Sequence, residues 1–169
     1  AVLSPAAVER ARRVEESADG RWVPQFLSLS AAIDNSRKDQ TLNTPALATI
    51  IMAERQVRWL LERGGMDAVS AHCAQASSLI YDWAKANLAA RPFVDNPAWR
   101  SPVTATIEID EAANASELAA HLRARGIVDI GAYRGVGANQ LRIGTWPSVE
   151  VDDVEALLAS IDYCLERVL

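Results

Sequence analysis

Lysine is nearly absent from this chain: Lys38 and Lys85 are the only two in 169 residues. A lysine that forms a Schiff base needs a sheltered site that lowers its pKa or holds the adduct. Lys38 lies in the polar run Ser36-Arg37-Lys38-Asp39, and Lys85 lies near the exposed end of a helical pattern, so neither suits that task. Cysteine is as scarce. Cys73 and Cys164 fall in apolar-periodic segments and read as buried free thiols of a reducing compartment. Zinc is excluded, because no histidine stands at ligand spacing from either cysteine; His72 is adjacent to Cys73, and adjacent helical residues point about 100° apart. No apolar run reaches the roughly 18–20 residues that span a bilayer. Positive charge is in deficit, with a formal net charge of -5, which removes the electrostatic case for nucleic acid or an anionic membrane. Trp22, Trp59, Trp83, Trp99 and Trp146 are too dispersed to stack bases. No nucleophile-base-acid triad, paired-carboxylate site or Gly-rich nucleotide loop is evident. The chain opens on Ala1 rather than Met, with no signal-peptide pattern, and reads as trimmed or excised from a longer protein.

What the chain does have is apolar content: half of its residues are hydrophobic, enough for one compact domain or two small ones. Ser4-Pro5 opens a short helix, with serine as cap and proline in the first turn. Residues 17–44 show little periodicity, and Arg21 to Ser30, broken by Pro24, reads as a strand or extended loop. Thr44-Pro45 opens a second helix through Leu47, Ile50, Ile51, Val57, Leu60 and Leu61, ended by Gly64-Gly65. A third runs from about Met66 to Trp83, after which Arg91-Pro92 and Asn96-Pro97 make a loop.

The period then changes. Val103 to Asp110 alternates apolar and polar, as a half-buried strand does. Asn114 with Glu117 resembles a capping box for a helix closed by Gly126. Ile127 to Ile130 reads as a second strand and Gln140 to Trp146 as a third, with Leu141 and Ile143 on one face and Arg142 on the other. A last helix starts at Asp152-Asp153 and buries Val154, Leu157, Leu158, Ile161, Leu165 and Val168. The predicted order is helices over residues 1–88, then β-α-β-β-α over residues 89–169. The helical half has apolar stripes and no sheet to lay them on, as the end of a larger domain would.

Two stretches could carry chemistry. Asp39 to Pro45 sets polar side chains before a helix N-terminus, where unpaired N–H groups and the positive dipole end could hold a phosphate through Asn43 and Thr44. The alternative is that Thr44 is only a helix cap. Tyr133 to Arg142 is a glycine-containing loop between strands with Arg134 and Arg142 at its ends. Guanidinium forks suit carboxylates and phosphates, so the pair fits a substrate bearing both. The alternative is a surface Arg134 and an Arg142 paired with a nearby acid.

Taken in order, the motifs are Ser4-Pro5-Ala6-Ala7, Arg21-Trp22-Val23-Pro24, Asn35-Ser36, Gln40-Thr41-Leu42-Asn43-Thr44-Pro45, Gly126-Ile127-Val128-Asp129, Tyr133-Arg134, Asn139-Gln140-Leu141-Arg142, Pro147, Val149 and Asp152-Asp153-Val154. This series resembles the C-terminal half of the phosphoserine aminotransferases, particularly the actinobacterial type, over essentially the whole chain. The resemblance implies an α/β fold, the C-terminal portion of a fold-type-I pyridoxal-phosphate-dependent transferase: the end of the large domain, then the α+β small domain. It implies a chain that begins after the catalytic lysine, so that the piece alone is inactive. It further implies a cytoplasmic homodimer with active sites at the subunit interface, Asn43 and Thr44 contacting the cofactor phosphate of the partner subunit. Arg134 would bind the phosphate of phosphoserine and Arg142 the substrate carboxylate. Many members have His-Arg where this chain has Tyr133-Arg134; a tyrosine hydroxyl can still donate to phosphate but carries no positive charge. The implied reaction exchanges an amino group between glutamate and 3-phosphohydroxypyruvate, giving 2-oxoglutarate and phosphoserine in serine biosynthesis. Rival readings are another aminotransferase or desulfurase of the same fold type, and a stand-alone binding module without catalysis.

Overall fold

The computed structural model describes residues 1–17, 22–134 and 139–167. The chain divides into two compact units, Ala1–Glu54 and Arg55–Leu169.

The first unit is helical. Helix α1 (Pro5–Glu16) starts as its sequence requires: the Ser4 side chain accepts from the Ala7 N–H at 3.2 Å, and proline occupies the first turn. Gln25–Leu27 forms a 3-10 turn, and helix α2 (Leu29–Ser36) follows at once. The expected strand or extended loop over residues 21–30 is therefore corrected, from residue 25 on, to a turn and a helix start, and Arg21 lies outside the described residues. Ser28 is the reason. Its hydroxyl caps α2 by accepting from Ala31 N at 3.0 Å and donates to Glu15 at 3.1 Å, which ties α2 to α1. Ser28 is also the one buried side chain among the described residues of this unit. Helix α3 (Leu47–Glu62) begins later than Thr44-Pro45 suggests, because the first carbonyl to accept a helical bond is that of Ala46, from Ile50 N at 3.0 Å. Leu47, Ile50, Ile51 and Met52 on it are all exposed.

The second unit holds the core. Gly64, at φ +101°, turns the chain from α3 into helix α4 (Gly65–Ala86); a Cβ there would lie 2.7 Å from that of Ala68. The sheet consists of β1 (Ala90–Pro92), β2 (Thr104–Ile109) and β3 (Gln140–Gly144), in that spatial order and antiparallel throughout. Strand β2 buries every second residue, Ala105, Ile107 and Ile109, as its alternation predicts. These join Leu141 and Ile143 in a core with α4, α5 (Ala115–Arg123) and α6 (Val151–Arg167). Ile107, Leu118, Leu141 and Ile161 are wholly enclosed, each worth about 1.5–3 kcal/mol of apolar burial. Of the stripe expected on α6, Val154, Leu157, Leu158 and Ile161 are buried, and Val168 lies outside the described residues.

Helix α5 has the predicted ends. The Asn114 side chain accepts from the Ser116 and Glu117 N–H groups at 2.9 and 3.2 Å. At the other end Gly126, at φ +89°, lets Ile127 N donate to Leu122 O and Gly126 N to Arg123 O, both at 3.1 Å, the two bonds of a Schellman motif.

Two expectations are corrected in this unit. The Arg91-Pro92 stretch is strand β1 rather than loop: Arg91 pairs with Glu108 in register and by an ion pair of 2.8 Å, and proline ends the strand at the sheet edge. Ile127 to Ile130 is not a strand; Asp129 sits at φ +62°, which breaks extension, and only Gly131 makes a bridge, to Leu141. The order is therefore β-β-α-β-α rather than β-α-β-β-α. Helix α4 belongs to this compact unit because it packs on the sheet through Ala76, Ile80 and Ala84.

Candidate functional site

Arg142 stands on β3 opposite Thr106, on the face away from the core. Its backbone N–H donates to Ile130 O at 2.9 Å, and next to it Gly131 bridges Leu141. These contacts lay the segment after α5 along the edge of β3. Two residues past Gly131, the Tyr133 ring lies against the guanidinium of Arg142, whose Cζ is 5.2 Å from the ring centroid. Arg134 follows in an exposed turn. Gly135 to Ala138 lie outside the described residues, so the glycine-containing part of the loop has no description.

Among the described residues Arg142 makes no ion pair, so the reading in which a nearby acid neutralises it does not hold. Arg142 is one of the residues that border a cleft of about 640 Å³ beside β3, together with Ile130, Ile143, Gly144, Trp146 and Asp153. The Trp146 side chain lies close over Gly144: a Cβ there would come 2.6 Å from Trp146 Nε1, so a larger residue would displace the exposed indole. The alternation Arg142, Gly144, Trp146 could have shown that these residues share one face.

Asn139, which closes the loop, has a structural task that its motif alone does not reveal. Its amide nitrogen donates to Ile109 O at 2.7 Å and Ala113 O at 3.0 Å, and its amide oxygen accepts from Ala115 N at 2.8 Å. One side chain thus joins the end of β2, the start of α5 and the start of β3, and fixes where Arg142 begins its strand.

Asn43 and Thr44 lie in the first unit, exposed, just before α3. Thr44 is not the cap, since the helix begins from Ala46, so the simple capping alternative fails. An amide, a hydroxyl and a helix start in the open fit the phosphate end of a cofactor. The other end has no counterpart here. Lys85 is exposed and pairs with Asp82 at 2.8 Å, and Lys38 is exposed, so neither lysine is sheltered.

The remaining polar groups serve the fold. Burial pushes the Tyr81 hydroxyl above its ordinary pKa, opposed by the Arg100 guanidinium 4.9 Å from its ring centroid. Asp162 accepts from Trp83 Nε1 at 2.9 Å and Asn87 Nδ2 at 2.8 Å. No group of residues able to hold a metal, and no helix long and apolar enough to cross a membrane, occurs among the described residues.

No family model matches the chain. Curated relatives do. A phosphoserine aminotransferase of Rhodococcus jostii is 47% identical over 167 residues, covering 99% of this chain and 44% of the relative. The solved phosphoserine aminotransferase of Bacillus circulans subsp. alkalophilus superposes with a TM-score of 0.76 at 26% identity, over 91% of this chain and 41% of that one. That of Cytophaga hutchinsonii gives a TM-score of 0.83 over 99% of the chain, at 16% identity, a likeness of fold. The chain is thus related along nearly its whole length to phosphoserine aminotransferases and spans less than half of theirs. Its fold is the α/β C-terminal portion of a fold-type-I aminotransferase.

Proposed function

We propose that this chain is the substrate-selecting C-terminal part of a phosphoserine aminotransferase, which converts 3-phosphohydroxypyruvate and glutamate to phosphoserine and 2-oxoglutarate in serine biosynthesis. The observation that carries the reading is Arg142, which borders the cleft and makes no ion pair among the described residues, in a chain related throughout to such enzymes. In this reading Arg142 takes the carboxylate common to both substrates. Arg134 takes the phosphate that only one of them bears. Asn43 and Thr44 hold the phosphate of pyridoxal phosphate in the partner subunit of a cytoplasmic homodimer.

The cofactor supplies the electron sink for amino-group exchange. The residues of this chain bind and orient: a planar fork for the carboxylate, a second arginine for phosphate, and an amide and hydroxyl at a helix start. Residues 1–88 finish the large domain and residues 89–169 form the small one. In this reading neither Lys38 nor Lys85 is the lysine of the reaction, which lies outside this chain.

The test is to measure amino transfer from glutamate to 3-phosphohydroxypyruvate with the purified full-length gene product and pyridoxal phosphate. Formation of phosphoserine supports the reading. Transfer to other 2-oxo acids with none to the phosphorylated one would move it to another fold-type-I aminotransferase. A gene product of this chain's mass with no transfer at all would leave a binding module.

A further inference from the structure

The stacking of Tyr133 on Arg142 assigns the tyrosine a task that neither its neighbour nor its hydroxyl explains. We propose that Tyr133 is a positioning residue, whose ring face holds the Arg142 guanidinium so that the edge of its fork meets the substrate carboxylate. This rests on the reading of Arg142 as the carboxylate-binding residue.

The argument is geometric. Strand register and the bond from Arg142 N to Ile130 O fix the backbone of Arg142. The side chain beyond it is long, makes no ion pair among the described residues, and has most of its rotamer freedom to lose on binding. A carboxylate partner would restrain it only by occupying the donors that the substrate needs. An aromatic face restrains it differently: with Cζ 5.2 Å from the ring centroid, the cation is held over the ring, a contact that uses its charge and no carboxylate acceptor, so N–H donors remain for the substrate. The Ile130 and Gly131 contacts to β3 hold the segment that carries Tyr133 beside the strand, so the ring is delivered by the fold rather than by the ligand.

The test compares Tyr133→Leu with Tyr133→Phe in the full-length enzyme. Tyr133→Leu should raise KM for glutamate and for phosphoserine by the same factor, about two- to fivefold as befits an exposed cation–π contact, with kcat kept. Tyr133→Phe, which keeps the face and loses the hydroxyl, should restore both KM values. A Tyr133→Phe that loses phosphoserine binding alone would overturn the proposal in favour of a hydroxyl-phosphate contact. A second readout does not depend on turnover. In protein labelled with ¹⁵N-arginine, the Arg142 Nε–H resonance should be displaced upfield by the ring in wild type and Tyr133→Phe and return in Tyr133→Leu. No displacement in wild type would overturn the contact itself. Displacement in a protein that cannot use phosphoserine would support the contact and sink the functional reading alone.

Discussion

Removing the Asn139 side chain should unfasten the junction of β2, α5 and β3. In Asn139→Ala the amide bonds to Ile109 O, Asp110 O, Ala113 O and Ala115 N are lost. Each such bond nets about 1 kcal/mol, and a buried donor left unpaired costs about 1–3 kcal/mol. Ala115 is 1% exposed, so its N–H, once unpaired, incurs the full desolvation cost. The carbonyls are less costly, because Asn139 borders an open depression with Glu111, Ala113 and Glu117 that admits water. The expected loss is about 2–4 kcal/mol. It is read from urea unfolding of the chain by circular dichroism, as a lowered midpoint with unchanged slope. Asn139→Asp sharpens the test. It places a carboxylate where an amide donor faced three carbonyl oxygens, so at neutral pH it should be worse than alanine. Those oxygens disfavour the charged form, raising the folded-state pKa of the introduced carboxyl above its unfolded value. Stability is then greatest below the unfolded pKa, where a proton restores a donor, and is lost as pH rises through the folded pKa. A loss below about 0.5 kcal/mol for alanine, the range of an ordinary surface change, would refute the reasoning. So would an aspartate variant as stable as wild type at neutral pH.

Other expectations are as direct. In the full-length enzyme Arg142→Ala should raise KM for both substrates about tenfold or more, the loss of a charge-assisted pair, while Arg134→Ala should hurt phosphoserine more than glutamate; equal losses would end the Arg134 assignment. Cys73 and Cys164 are 2% and 3% exposed, and burial pushes the Cys73 thiol above its ordinary pKa. A thiol reagent should therefore leave both unmodified in the native chain at neutral pH and count both after denaturation; rapid native labelling would contradict their burial. Leu47, Ile50, Ile51 and Met52 on α3 are exposed, so this chain alone should self-associate, seen as concentration-dependent sedimentation. A monomer at high concentration would show that the exposed apolar residues drive no association.

The fold was legible wherever burial imposes a period. The alternation of Thr104 to Ile109 and the stripe of α6 from Val154 to Ile161 both follow from a single packed face. The caps at Ser4 and Asn114 are local chemistry and were equally visible. What failed were elements whose stability comes from elsewhere. Strand β1 is short, contains proline, and exists through its pairing with β2. Ile127 to Ile130 has strand composition, but Asp129 turns it aside at positive φ. Helix α2 carries no buried residue and is held by Ser28 reaching Glu15, a contact that no period announces.

The site was legible as a set of groups and not as an arrangement. Arg142 could be assigned to the outer face of its strand because alternation decides faces. Its orientation could not, since that depends on Tyr133, nine residues away along a loop that periodicity does not describe. The distinction has a chemical consequence. If Arg142 were held by an acid, the free site would be neutral, and a substrate carboxylate would have to displace that partner before binding. Held by an aromatic face, the cation keeps its charge and its donors before the substrate arrives. The two arrangements differ in their response to salt: a stacked, unpaired arginine should bind carboxylates that weaken steadily as ionic strength rises, whereas an arginine already paired should lose its internal partner to the same screening and bind with a shallower dependence.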